Sequence, residues 1–234
     1  MAVYSIDLHN HMPVPDADYR GPMDTTGHDV VRAAIAAGVD ALGVSDHFSL
    51  SFFRHVHAAA VGTGLLVLPG AEVRLSLGED EAHLIAAFPP ERAEERFAAF
   101  MDALGFVERA RVARLHRVVV EFDPVEAARA ISRLGGICVV AHVDRWFGEY
   151  RLLGRPLLRR LVDEAPCAAL EFVEIGNAAM LGDWAAGVGL LQSSDSHHVD
   201  EIGRRATTLH ARALTFEAIR EALCPGIEKA GAAS

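Results

Sequence analysis

A chain of 234 residues, 51% of them hydrophobic, with a formal net charge of -10, is long enough to bury one large core and suits a single α/β barrel. The negative balance argues against a long nucleic-acid partner unless bound cations reverse the local field. The longest stretch without Asp, Glu, Lys or Arg, residues 55–71, is broken by glycines, a proline and two histidines, which excludes it as a membrane span.

Three scattered cysteines, Cys138, Cys167 and Cys224, form no CxxC pair and are expected to pack in the core. With no basic-then-apolar leader, they point to a reducing cytoplasm.

Residues 3–11 alternate apolar and polar side chains and read as a strand ending in His9-x-His11. Side chains two apart on a strand share a face, so the imidazoles stand together, a start on a metal site. A Pro- and Asp-rich loop follows, residues 12–27. Thr26 or Gly27 caps an amphipathic helix over 29–37, with Gly38 as its stop. Residues 41–45 read as a buried strand leading into Asp46-His47, and a helix is expected around 52–60. Residues 65–71 form a strand ending in Glu72, and 82–88 a strand carrying His83. Pro89-Pro90 begins a helix to about Leu104. The basic run 109–117 reads as a solvated helix, and Asp123-Pro124 starts another as cap and first helical residue.

Residues 137–141 are nearly continuous β-branched and apolar sequence, the mark of a strand covered on both sides, and end in His142. A helix over 156–164 leads to a strand over 169–175, holding Glu171 and Glu174. A helix over 178–186 leads to a strand over 189–192, which runs into Ser193-Ser194-Asp195-Ser196-His197-His198. A strand over 206–210 and a helix over 215–223 complete the pattern. Strands alternating with helices imply parallel strands joined by right-handed crossovers. No linker or fixed-period repeat divides the chain, so one domain over residues 1–234 is expected.

Each strong strand thus ends in a residue able to bind a metal. In β/α barrels, functional side chains gather at the C-terminal strand ends. His9, His11, His47, Glu72, His142, Asp195 and His197 are therefore expected on one rim, with His83 joining them. Imidazoles mixed with carboxylates, without thiolates, suit Zn, Mn or Fe rather than Ca or Mg. There are too many donors for one ion, and a cluster of two or three divalent transition metals is expected.

Asp-Leu-His-x-His, Ser-Asp-His, Gly-x-Glu, an isolated His, Ala-His and Ser-Asp-x-His, in this order over residues 5–197, resemble the polymerase-and-histidinol-phosphatase (PHP) metal-dependent phosphoesterases. The resemblance implies a distorted seven-stranded, TIM-like β/α barrel with up to three metals in its mouth. It implies one metal on His9, His11, Glu72 and Asp195, and a second, bridged by Glu72, on His83 and His142. A third would sit on His47, His197 and Asp16, completing a trinuclear centre. Two departures stand out: the early loop reads Pro15-Asp16-Ala17, with Asp18 as rival to Asp16, and Val143 stands where Pro usually follows Ala-His.

Asp7 and Asp46 neighbour ligands and are candidates to orient imidazoles or to cap local turns. Arg20 and Arg145 flank the expected mouth as candidate phosphate clamps. Glu72, Asp195 and His197 are expected to act by positioning metal and nucleophile. The expected reaction is hydrolysis of a small phosphomonoester (sugar, histidinol or nucleotide phosphate) by a metal-activated hydroxide. The alternatives are a phosphodiesterase acting on short oligonucleotides or cyclic phosphates, a non-catalytic metal-stabilised domain serving a partner, and an amide or lactone hydrolase. The sequence leaves the oligomeric state open.

Overall fold

The structure, a computed structural model, describes residues 1–14, 18–77, 80–112, 118–145, 154–165, 169–185 and 187–223. Strand β1 (Ala2–Asp7) is followed by helix α1 (Gly27–Ala36), strand β2 (Ala41–Val44), helix α2 (Phe53–Ala60) and strands β3 (Leu66–Leu77) and β4 (Asp80–Ala87). Helices α3 (Ala93–Leu104) and α4 (Phe106–Arg109), strands β5 (Ala110–Val112) and β6 (Val118–Val120), helix α5 (Pro124–Arg133) and strand β7 (Ile137–Val140) come next. Helix α6 (Gly154–Glu164), strands β8 (Ala169–Glu171), β9 (Gly189–Leu191) and β10 (Thr207–Ala211), and helix α7 (Phe216–Leu223) complete the described elements.

The sheet order is β10-β1-β2-β3-β4-β7-β8-β9, with β6 joining β3 and pairing with β5. Beyond the ends of β1 and β9 the two chain segments meet. Asn10 bridges Ser196 in parallel, and the His11 N–H donates to the Ser196 carbonyl at 2.8 Å. That contact closes the sheet into a distorted TIM-like barrel at the rim where the histidines lie. Inside, Ile6, Leu68, Ile85, Val139 and Leu191 form one apolar cluster with Phe216 and Ile219 of α7. Helices α3, α5 and α6 cover one outer face, burying Cys138, and α1 and α2 cover another. Cys167 and Cys224 lie outside the described residues.

The all-parallel expectation fails at four pairings among the described residues. β3 with β4, β4 with β7, β1 with β10, and β5 with β6 are antiparallel. Parallel neighbours need a crossover of about a dozen residues, and only Gly78 and Glu79 separate β3 from β4. β3 accordingly extends through Glu72 to Leu77, and Glu72 lies within a strand rather than at its end. Part of the basic run expected to be helical is strand β5; residues 113–117 lie outside the described residues. The helix expected over 178–186 is replaced by 3-10 turns at Ile175–Met180 and Gly182–Ala185. Gly182, at φ +66, takes the left-handed conformation that interrupts a helix.

The caps follow local chemistry. Thr26, not Gly27, caps α1: its side chain accepts from the Asp29 N–H while Asp29 accepts from the Thr26 N–H. Asp123 accepts from the N–H groups of Val125 and Glu126 at the start of α5, with Pro124 in the first turn.

Candidate metal centre

The centre is organised around Glu72, buried at 2% exposure on β3. Ile85 stands opposite it on β4 and belongs to the inner apolar cluster, whereas His83 stands opposite Arg74. One step along this hairpin therefore takes the inner wall from apolar to ionisable. Glu72 Oε1 lies 2.7 Å from His83 Nδ1 and 3.1 Å from His142 Nε2. Its Oε2 lies 3.4 Å from His9 Nε2, 3.4 Å from His11 Nε2 and 3.3 Å from His47 Nδ1. Asp195 Oδ1 is 3.4 Å from His9 Nε2 and 3.5 Å from His11 Nε2.

Several of these close atoms are not hydrogen-bonded. His9 Nε2, both ring nitrogens of His11 and His47 Nδ1 are buried without a hydrogen-bond partner, although carboxylate oxygens lie within 3.5 Å of three of them. Buried polar atoms left unpaired cost about 1–3 kcal/mol each. Two ligands each about 2.1 Å from one tetrahedral ion stand about 3.4 Å apart. The four imidazole–carboxylate pairs that His9 and His11 make with Glu72 and Asp195 have that spacing, 3.4–3.5 Å, and these donor types suit a divalent cation. Among the described residues the donor atoms fall into three overlapping groups: His9, His11 and Asp195; His11, His47 and Glu72; and Glu72, His83 and His142.

Backbone and neighbours hold the donors in place. His142 and Asp195 have left-handed backbones, φ 34 and 48, a conformation that costs a non-glycine residue about 1–3 kcal/mol and clusters at functional sites. The His9 Nδ1 N–H donates to Glu171 Oε2 at 3.0 Å, which turns Nε2 toward Glu72 and Asp195. Glu171 also accepts from the His142 N–H at 3.2 Å. The His197 Nδ1 N–H donates to the Asp195 carbonyl at 2.9 Å.

Electrostatics follow from this packing. Burial opposes the charged form of Glu72, but His9, His83 and His47 outweigh it and hold the carboxyl well below its usual range. Burial likewise opposes charge on His9, and the carboxylates of Glu171 and Glu72 overcome it, raising the imidazole to about 10. Burial pushes His47 down to about 4 and Asp46 up to about 7.

The structure thus brings His9, His11, His47, Glu72, His83, His142 and Asp195 together, and His197 lies beside His11 with tilted rings whose centroids are 4.4 Å apart. Asp16 lies outside the described residues. Its rival Asp18 comes within 3.3 Å of His47 Nε2. Asp7 accepts from the N–H groups of Ser194 and Gly203, both at 2.9 Å, and braces the chain after β9 against β1. Asp46 accepts from the Met12 N–H at 2.7 Å. Arg145 pairs with Asp195 Oδ2, the oxygen facing away from His9 and His11. Arg20 is exposed, and its N–H donates to the His197 carbonyl at 2.6 Å. Both arginines line a cavity of about 510 Å³ together with Arg74, Arg204 and Arg205.

Sequence reasoning missed the roles of Glu171 and Arg74. Arg74 Nη2 donates to Asp18 Oδ2 at 2.5 Å and contacts His47 Nε2. The signal was present: residues two apart on a strand share a face, so an arginine two after Glu72 had to point into the same cavity.

No family model and no curated protein matches the chain. Solved structures do. The lesion-specific endonuclease Q of Pyrococcus furiosus superposes with a TM-score of 0.74 at 18% identity, over 96% of this chain and 56% of that one. The chain therefore spans little more than half of that protein. A Bifidobacterium adolescentis protein predicted to be a metal-dependent phosphoesterase matches at TM-score 0.66 and 17% identity, over 95% of this chain and 96% of that one. A two-domain Bacteroides vulgatus protein containing a predicted PHP-like metal-dependent phosphoesterase matches at 0.60 and 16%, over 95% and 62%.

An endonuclease Q complex that matches at 0.70 and 18%, over 95% and 56%, holds a 27-mer duplex with an abasic lesion at its active site. This overturns the expectation that net charge argues against a long nucleic-acid partner and for a small substrate only. A fold of this kind meets duplex DNA in endonuclease Q, and overall charge does not set the field inside a mouth lined by arginines. Among the described residues no helix is long and apolar enough to cross a membrane. At these identities the likeness establishes architecture: the chain has the fold of the PHP-type metal-dependent phosphoesterases.

Proposed function

We propose that the chain hydrolyses phosphoric esters at divalent cations held by His9, His11, Glu72 and Asp195 and, across the shared Glu72, by His83 and His142. The observation that carries this reading is that His9 Nε2 and His11 Nε2 are buried without a hydrogen-bond partner although oxygens of Glu72 and Asp195 lie 3.4–3.5 Å away. Imidazole and carboxylate donors without thiolate suit Zn, Mn or Fe. Bound there, such cations would polarise a phosphoryl oxygen and lower the pKa of an attacking water.

The remaining work falls to the chain's own side chains. Glu171 orients His9, and the Asp195 carbonyl orients His197, leaving His197 Nε2 to hold a proton of the attacking water. Arg145, pivoting on Asp195, and Arg20 draw the anionic group into the cavity. A volume of about 510 Å³ suits a small phosphomonoester. A second reading, cleavage of a phosphodiester in DNA, is favoured by the likeness to endonuclease Q.

One panel separates them. Cation-loaded protein is assayed on nitrophenyl, sugar and nucleotide phosphates and on a duplex carrying an abasic site, with Glu72→Ala as control. Monoester turnover lost in Glu72→Ala supports the first reading, and duplex cleavage alone supports the second. Bound cations with no turnover on any substrate refute the enzyme and leave a metal-stabilised binding domain.

A further inference from the structure

The third cation position implied by the PHP resemblance does not fit the residues around it. It was to be held by His47, His197 and an early-loop carboxylate. Arg74 Nη2 stands between two of these groups: His47 Nε2 and Asp18 Oδ2 are 3.3 Å apart, and the nitrogen hydrogen-bonds to both. That is where an ion shared by them would have to be. Arg74 is 5% exposed and is fixed by the strand that carries Glu72, so it is part of the wall rather than a surface side chain.

The chemistry of the contact reaches further. A guanidinium offers only donors, so His47 Nε2 must be the acceptor. A neutral imidazole has one lone pair and one N–H. Once the lone pair at Nε2 is committed to Arg74, Nδ1 carries the proton and His47 has none left for a cation. Of the three donor groups, the one containing His47 then falls away. The other two remain, His9, His11 and Asp195 against Glu72, His83 and His142, with Glu72 Oε2 also 3.4 Å from His9 and His11. His197 belongs to none of the three groups among the described residues.

We infer that the Arg74 guanidinium takes the place of a third cation, so that the centre holds two divalent ions and carries its third cationic group as a side chain. This rests on the proposed metal centre and narrows it. The charge lines the cavity, is paired with Asp18, and cannot be removed by a chelator.

The test is cation stoichiometry, read without any assay of turnover. The protein is stripped with chelator, reloaded with Mn²⁺ and titrated calorimetrically, with elemental analysis after gel filtration. Two equivalents per chain are expected for the wild type. Arg74→Ala is expected to bind a third Mn²⁺ at least tenfold more weakly than the first two, and Arg74→Lys, which keeps a positive charge in place, to return to two. Three equivalents in the wild type, or two in Arg74→Ala, would overturn the inference while leaving the metal centre standing. No binding by the wild type would overturn both. The wild-type count stands even if Arg74→Ala fails to fold.

Discussion

His9 and Glu171, 162 positions apart in the chain, are joined by a buried hydrogen bond of 3.0 Å. The same carboxylate accepts from the backbone of His142, so one side chain on β8 fixes a ligand candidate just after β1 and another after β7. Such partners of ligating imidazoles are worth about 10–100-fold in metal affinity. Glu171→Ala is therefore expected to weaken cation binding within that range. Glu171→Gln, which still accepts from both N–H groups, should weaken it less. Calorimetric titration checks this, and equal affinity in all three proteins would remove Glu171 from the centre.

Cations that bind only the folded chain stabilise it by mass action. One site at a thousandfold excess over Kd contributes about 4 kcal/mol, or about 8–16 °C in Tm for a chain of this size. Calorimetric melting with and without chelator should show a drop of that order. An unchanged Tm would mean that no cation was bound.

Much of this arrangement is legible in the sequence, because strand ends are short apolar runs and His9, His11, His47, His142 and Asp195 follow them directly. Glu72 was expected at a strand end, but it lies inside a long hairpin, and the periodicity of 65–71 does not reveal that β3 continues. Glu171 was missed because a carboxylate within a strand reads as a polar face until the partner strand is known, and its partner His9 comes from the other end of the chain. Arg74 was missed because the strand was expected to end at Glu72 and arginine on a strand is usually solvated, so its two-residue spacing from Glu72 was not used.

The approach of β2 to the end of β1 permits no side chain at Gly43. A Cβ there would lie 2.3 Å from the Leu8 carbonyl oxygen and 2.7 Å from its carbon. Overpacking of this kind costs about 1–3 kcal/mol, and here it falls on the residue before His9. Gly43→Ala is expected to lower Tm by about 2–12 °C and to weaken cation binding as well. A variant with wild-type values of both would show that the two strands separate freely.

Thr26 offers a change remote from the centre. Its hydroxyl and backbone, together with Arg32, hold the Asp29 carboxyl below its usual 3.8. A depressed carboxyl contributes stability that is present above the unfolded value and lost as pH falls through the folded one. Thr26→Ala should lower Tm by about 2–4 °C at pH 7. In the presence of chelator that difference should narrow below pH 3.8, with cation content at neutral pH unchanged. A difference independent of pH would mean that the capping box does not couple to Asp29.

Arg145 tests whether the mouth binds the anion or merely supports Asp195. Its guanidinium pairs with Asp195 Oδ2, while Oδ1 faces His9 and His11. At 39% exposure the pair is partly screened by solvent, which makes it a weak structural strut and leaves donors open toward the cavity. A charge-assisted hydrogen bond to a phosphoryl oxygen contributes about 1.5–3 kcal/mol, and screening places the net effect at about tenfold. Arg145→Ala should thus raise KM for a phosphoester about tenfold, leave kcat within a few-fold and retain the full cation content. If cation content falls and KM does not move, Arg145 serves to position Asp195, and the anion must be drawn in by Arg20 and its neighbours on the rim.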